Sequence, residues 1–120
     1  METKALGDFG EERASLFLRR KGYRIVERNY RCRQGEIDII AEGRGCLVFA
    51  EVKLRRDERF AEAREFVTAA KQRRILAAAQ LWLAQHESER QPRFDVIEVY
   101  APAGEKGPLR IEHIEDAFGL

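Results

Sequence analysis

The sequence has no apolar stretch near the roughly 18 residues that a membrane-spanning helix requires, so functions that depend on such a helix are not expected. It has no large excess of either charge: 22 Lys and Arg face 21 Asp and Glu. Bulk electrostatic capture of a polyanion is therefore not suggested, and any nucleic-acid binding must come from local patches. Cysteine is scarce. Cys32 and Cys46 form no CxxC spacing, which argues against a structural zinc site and a disulfide framework and points to a reducing, cytoplasmic compartment. There is no internal repeat, low-complexity segment or Pro/Ser-rich linker. The opening METKALGDFGEERA is acidic and lacks an apolar segment, so it does not read as a signal peptide. Hydrophobic residues at 44% and aromatics at 9% of 120 residues suffice for one modest core, so a single domain over residues 1–120 is expected.

Charge is unevenly placed. Residues 19–33 hold seven Lys and Arg against Glu27 alone, and residues 95–120 hold six acids against Lys106 and Arg110. Each run reads as a solvated face or, for the basic one, as a patch that tracks phosphates. Residues 6–21 carry Leu6, Gly10, Ala14, Phe17 and Leu18 at helical spacing, with Gly22 as a C-terminal stop. Strands are expected over Tyr23–Tyr30, Glu36–Ala41 and Cys46–Lys53, the last two joined by a tight turn at Gly43-Arg44-Gly45. Thr68 is placed to cap a long helix over 69–86, with a stripe of Ile75, Leu76, Ala79, Trp82 and Leu83. A strand over Arg93–Tyr100 and a fifth over Leu109–Ile114 follow, with a closing turn through Ala117 and Phe118. The expected order is αβββαββ.

Strand alternation locates the chemistry. In the third strand Leu47, Phe49, Glu51 and Lys53 share one face, and Cys46, Val48, Ala50 and Val52 share the other. In the second, Ile37, Ile39 and Ala41 oppose Glu36, Asp38 and Ile40. Matching the apolar faces puts Asp38 on the face of Glu51 and Lys53, and a two-residue turn at Arg44-Gly45 sets Asp38 opposite Glu51, with Cβ atoms roughly 5 Å apart. Two carboxylates and an ammonium among apolar neighbours need partners, water or a metal. Two readings stay open: an ion-pair cluster at a sheet edge, or a hard-cation site suited to Mg²⁺ or Mn²⁺. On the first helix, Glu11 lies about 60° from Ala14 and turns toward the core edge, whereas Glu12 lies about 160° away and faces solvent. Glu11 could alternatively complement the helix dipole. Gln72 falls in the middle of the second helix's stripe, with Lys71 at its edge. A helix start emerging from the core and a role at the site explain Gln72 equally well. His86 and His113 lack a nucleophile partner, and Trp82 reads as core rather than as a base-stacking platform.

Asp38, followed thirteen and fifteen residues on by Glu51 and Lys53, with Glu11 in a preceding helix, resembles the PD-(D/E)xK nuclease superfamily, whose restriction-endonuclease-like αβββαβ core matches the order read above. Within it the chain resembles the YraN-like family of small bacterial proteins. The matching motifs are Gly7-x-x-Gly10-Glu11-x-x-Ala14, Asn29-Tyr30-Arg31, Gly35-Glu36-Ile37-Asp38, Phe49-Ala50-Glu51-Val52-Lys53, Arg93-Phe94-Asp95-Val96 and Asp116-Ala117-Phe118. Ala50 departs from the family's more usual valine and faces away from the site. The set is also similar to that of archaeal Holliday-junction resolvases. The resemblance implies that Asp38, Glu51 and the Val52 carbonyl hold Mg²⁺ or Mn²⁺, that Lys53 serves the attacking water, and that Glu11 holds a second metal or its waters. It implies hydrolysis of a phosphodiester to a 5′-phosphate and a 3′-hydroxyl.

The expected function is thus a metal-dependent endonuclease acting on DNA, branched DNA included and RNA not excluded. Arg31, Arg33, Arg55, Arg56, Arg59, Lys71, Gln72, Arg73 and Arg74 would contact the nucleic acid, and a two-fold homodimer would suit cutting both strands. The competing expectations are a binding module for nucleic acid or protein without turnover, and a purely structural ion-pair network.

Overall fold

The computed structural model describes residues 3–56 and 67–119, with side chains from Gly7 onward. Seven elements follow in the order α1 (Thr3–Arg20), β1 (Arg24–Arg31), β2 (Glu36–Gly43), β3 (Cys46–Arg55), α2 (Ala69–Gln85), β4 (Gln91–Tyr100) and β5 (Arg110–Phe118). The strands form one mixed sheet in sequence order, β1-β2-β3-β4-β5, with β3 and β4 parallel and all other pairs antiparallel. The first six elements give an αβββαβ order, compatible with a nuclease-like core. No helix is long and apolar enough to cross a membrane among the described residues.

Local chemistry explains the punctuation. Helix α1 stops where Gly22 adopts φ +98, a left-handed conformation that costs glycine little. The Gly22 N–H then reaches the Arg19 carbonyl and the Tyr23 N–H the Leu18 carbonyl, satisfying the helix end. The β2–β3 turn places both Arg44 (φ 53) and Gly45 (φ 79) at positive φ, the geometry that matches strand twist in two-residue hairpins. Thr68 caps α2, its Oγ1 accepting from the Lys71 N–H at 3.1 Å.

The sheet is covered on both faces. On one side Ala14 and Leu18 of α1 pack with Tyr23, Ile39, Ala41, Val48, Ala50, Ile97 and Val99. On the other, Ile75, Ala78, Ala79 and Trp82 of α2 pack with Ile37, Ile40, Leu47, Phe49, Phe94 and Val96. Phe49 anchors this second layer, stacked on Phe94 at 5.3 Å and edge-on to Trp82 at 5.9 Å. Full burial of such a side chain contributes about 1.5–3 kcal/mol. Trp82 is core, and its indole N–H donates to Glu27 at 3.0 Å.

Two expectations need correction. The sequence pattern puts Ile37 with Ile39 and Ala41, yet Ile37 belongs to the α2-side cluster and the other two to the α1 side. The alternation breaks at Asp38, for reasons given below. The closing turn through Ala117 and Phe118 is absent, because β5 continues to Phe118 through a shift in register opposite Phe94 and Val96. Asp116 takes φ 53 at this irregularity, and the buried Asp95 carboxylate accepts its N–H at 3.0 Å. The strand therefore bends while the Asp116 N–H keeps a partner.

Candidate functional site

The site lies where β2 and β3 part. Their ladder runs from Gly43 opposite Cys46 to Ile39 opposite Ala50. Continued by one residue, that register sets Asp38 across from Glu51. The main-chain pairing ends here, and the Val52 N–H donates instead to Asp38 Oδ2 at 2.8 Å. A side-chain carboxylate thus stands in for a backbone carbonyl, which turns β2 and sends Ile37 to the opposite face. A strand residue projects its N–H and C=O toward the same neighbour, so the Val52 carbonyl also faces this opening.

Other elements converge on it. The β1–β2 register, Arg28 opposite Ile39 and Tyr30 opposite Ile37, brings Asn29 across from Asp38. Asn29 adopts φ 55, a left-handed conformation uncommon within a strand and best tolerated by residues such as Asn. Its side chain hydrogen-bonds Glu11. Glu11 reaches in from α1 with its side chain 12% exposed, and Arg28 lies 3.8 Å from Oε1. Glu12 points outward, as expected from the helical wheel, and pairs with Arg28 at 2.9 Å. From the other face, Lys71 in the first turn of α2 places Nζ 2.5 Å from Oε1 of the buried Glu51. Lys71, rather than Lys53, is the lysine paired with Glu51 among the described residues; Lys53 is half-buried beside it.

The electrostatics follow from this crowding. Burial, followed by the charge of Glu51, pushes the Asp38 carboxyl from its ordinary 3.8 up to about 7, against the pull of the Val52 N–H and Lys71. Burial also raises Glu11, in spite of the Asn29 hydrogen bond and the Arg28 charge. Burial alone would lower Lys71, but the hydrogen bond and charge of Glu51, with Asp38 and Glu36, hold it above its ordinary value. Carboxyl groups displaced in this way at one spot are a frequent mark of functional sites.

The donor set suits a hard divalent cation. Asp38 and Glu51 are adjacent carboxylates that could ligate a cation, the Val52 carbonyl faces the same opening, and Oε1 of Glu11 is buried without a hydrogen-bond partner among the described residues. Among those residues no three of His, Cys, Asp and Glu close into a ready cage. Two carboxylates could hold an ion such as Mg²⁺ or Mn²⁺, which binds through one or two carboxylates and keeps several waters. Glu11 stands off from the pair, close enough for its charge to act on Asp38.

A groove of about 570 Å³ is lined by Arg31, Cys32, Gly35, Glu36, Lys71 and Arg74 among others; Glu11, Asp38 and Glu51 are not on its walls, and Lys71 links it to them. The hairpin that forms one wall is pressed against α2: a Cβ at Gly35 would sit 2.8 Å from the Arg74 carbonyl oxygen. The basic run does not form one open face. Lys21 bonds His113, Arg24 pairs with Glu42, Arg28 with Glu11 and Glu12, and Arg31 with Glu36. Arg33, Arg56, Arg73 and Arg74 are exposed. Arg55 turns inward to the buried Glu98 at 3.1 Å, so it is less available to phosphate than expected. Gln72 donates to the Val67 carbonyl at 2.8 Å, which accounts for an amide within the apolar stripe. Arg59 lies outside the described residues.

Three features were missed from the sequence: the left-handed Asn29, the Lys71–Glu51 contact and the buried Glu98. Asn29 left a signal in its strand position, where Asn is disfavoured. The other two depend on the packing of distant elements. Away from the site, Arg93 grips the fully buried Asp95 through two hydrogen bonds of 2.9 and 2.8 Å. His113 Nε2 meets the same carboxylate at 2.7 Å. His113 also carries the link between the two oppositely charged segments that the sequence shows apart, its Nδ1 meeting Lys21 Nζ at 2.9 Å.

The model of the uncharacterised protein family UPF0102 matches residues 10–99. A UPF0102 protein of Symbiobacterium thermophilum is 50% identical over 117 residues, covering 97% of this chain and 98% of its own. One from Pelobacter propionicus is 47% identical over 122 residues, covering 99% and 86%. A third, from Caldanaerobacter subterraneus subsp. tengcongensis, is 40% identical over 119 residues, covering 98% of each. The matched span contains Glu11, Asp38, Glu51, Lys53 and Lys71. With a family match over three-quarters of its length and relatives aligned nearly end to end, the chain belongs to the YraN-like UPF0102 family.

Proposed function

We propose that this protein is a metal-dependent nuclease that hydrolyses phosphodiester bonds in DNA, with a site of the PD-(D/E)xK type. The observation that carries the reading is the parting of β2 and β3, which leaves Asp38 and Glu51 side by side with the Val52 main chain turned toward them. Asp38, Glu51 and the Val52 carbonyl would hold Mg²⁺ or Mn²⁺, and Glu11 would hold a second ion or its waters. When bound, the ion would supply Lewis-acid polarisation of the phosphodiester and make water more acidic. Lys53 orients the attacking water and steadies charge that grows on the phosphate. Products are a 5′-phosphate and a 3′-hydroxyl. The groove with Arg31, Lys71 and Arg74 on its walls receives the sugar-phosphate backbone, and Arg33, Arg56 and Arg73 extend the cationic surface. The resemblance of the sequence motifs to those of archaeal Holliday-junction resolvases would favour branched DNA, and a two-fold dimer would place two sites on opposite strands.

The test is a panel of single-stranded, duplex, flapped and four-way DNA, with RNA counterparts, incubated with Mn²⁺. Cleavage of at least one substrate should be abolished by Asp38→Asn and by Lys53→Ala. Equal cleavage by both variants would assign the activity to a contaminant and end the proposal. The Lys71–Glu51 contact favours a second reading, a binding module whose acids are already neutralised. Such a module has no reason to take up Mn²⁺ at Asp38 and Glu51, and calorimetric titration separates the two.

A further inference from the structure

Lys71 differs from the other groove cations in where its charge rests. Arg74 is exposed and Arg31 pairs with a surface acid, whereas the Lys71 ammonium sits on a carboxylate whose side chain is 6% exposed. Its own side chain is 45% exposed, so the stem runs along the groove and only the tip enters the acid cluster. Asp38 lies next to that carboxylate, and both acids act on Lys71. Lys71 therefore supplies the positive charge that a divalent cation would otherwise bring. Two cations of different kinds cannot both engage one buried carboxylate closely without repelling each other. A lysine can yield: its four-carbon stem is flexible, and the groove that it lines gives the ammonium somewhere to go.

We infer that Lys71 is the site's resident counter-ion, which neutralises Glu51 while the cation is absent and swings into the groove when the cation binds, where it meets a substrate phosphate. The inference rests on the metal-dependent reading above and assigns to the first turn of α2 a part in coupling metal uptake to substrate binding. Lys71 on this account has two stations, on Glu51 and in the groove, and a part distinct from that of Lys53.

The experiment needs no substrate and no turnover. Mn²⁺ binding to the purified full-length chain is measured by calorimetry for wild type, Lys71→Gln and Glu51→Gln. In parallel, lysine acylation read by peptide mass spectrometry follows the accessibility of Lys71. Lys71→Gln should bind Mn²⁺ roughly two- to fivefold more tightly than wild type, the order expected when a half-exposed ion pair no longer has to break first. Glu51→Gln should bind weakly or not at all. Acylation of Lys71 in the wild type should rise severalfold on adding Mn²⁺, and in Glu51→Gln it should be high throughout. If wild type binds Mn²⁺ through Glu51 but Lys71→Gln binds no tighter and the labelling does not change, the counter-ion role is wrong and the nuclease reading stands. If neither wild type nor Lys71→Gln takes up Mn²⁺, the metal-dependent reading falls and takes this inference with it.

Discussion

Replacing Asp38 with Asn should make the protein more stable at mildly alkaline pH. The Asp38 carboxyl is raised from 3.8 to about 7 by burial and by Glu51. A carboxyl that holds its proton more tightly folded than unfolded contributes stability below its ordinary value, and that contribution is lost as pH climbs toward about 7. Each pH unit between the two values is worth about 1.4 kcal/mol, so ionised Asp38 costs the fold roughly 4 kcal/mol at most. Water entry and relaxation reduce this to about 1–3 kcal/mol. Asn removes the charge, keeps the volume, and retains an oxygen for the Val52 N–H. Urea denaturation at pH 8 should therefore show Asp38→Asn more stable than wild type by that amount. At about pH 3, below the ordinary carboxyl value, folded and unfolded wild type both carry the proton and the difference should shrink to a few tenths of a kcal/mol. A variant less stable than wild type at pH 8 would refute the reasoning and would make Asp38 a stabilising member of a structural ion-pair network.

Other outcomes follow from the same contacts. Asp95→Asn should cost about 1–3 kcal/mol in urea denaturation at neutral pH, because it leaves Arg93 with only Glu115 at 3.5 Å and the Tyr23 hydroxyl at 2.8 Å. Burial would raise Asp95, but His113, Arg93 and the Asp116 N–H outweigh it and hold the carboxyl below 3.8. Its contribution is present above that value and lost as pH falls through the folded-state value, so thermal melts of wild type and variant should converge in strong acid. Gly35→Ala should destabilise by about 1–3 kcal/mol, because the added methyl must push the β1–β2 hairpin away from the Arg74 backbone. Urea denaturation measures the cost, and an unchanged midpoint would mean that the hairpin is free to shift.

The order of elements was legible because its signals are local. Gly22 ends a helix by its own backbone freedom, Thr68 caps one with its own hydroxyl, and Arg44-Gly45 closes a hairpin whose length sets the register of Asp38. Glu11 and Glu12 were separable because a helical wheel depends only on sequence spacing. Ile37 escaped because a side chain, Asp38, interrupts the ladder and overrides alternation. Lys71 escaped because its partner is twenty residues away across a packing interface, where sequence offers no ruler. The charge runs misled for the same reason. Arg28 and Arg55 are basic in the sequence, but the fold turns them against Glu11, Glu12 and Glu98.

One amide in the sheet behaves as a built-in indicator. Most peptide N–H groups in a strand bond to a partner whose charge never changes, but that of Val52 bonds to a group that titrates. Its proton resonance and its exchange with deuterated solvent should therefore follow the ionisation of one aspartate, giving a label-free gauge of the cleft at a single backbone position.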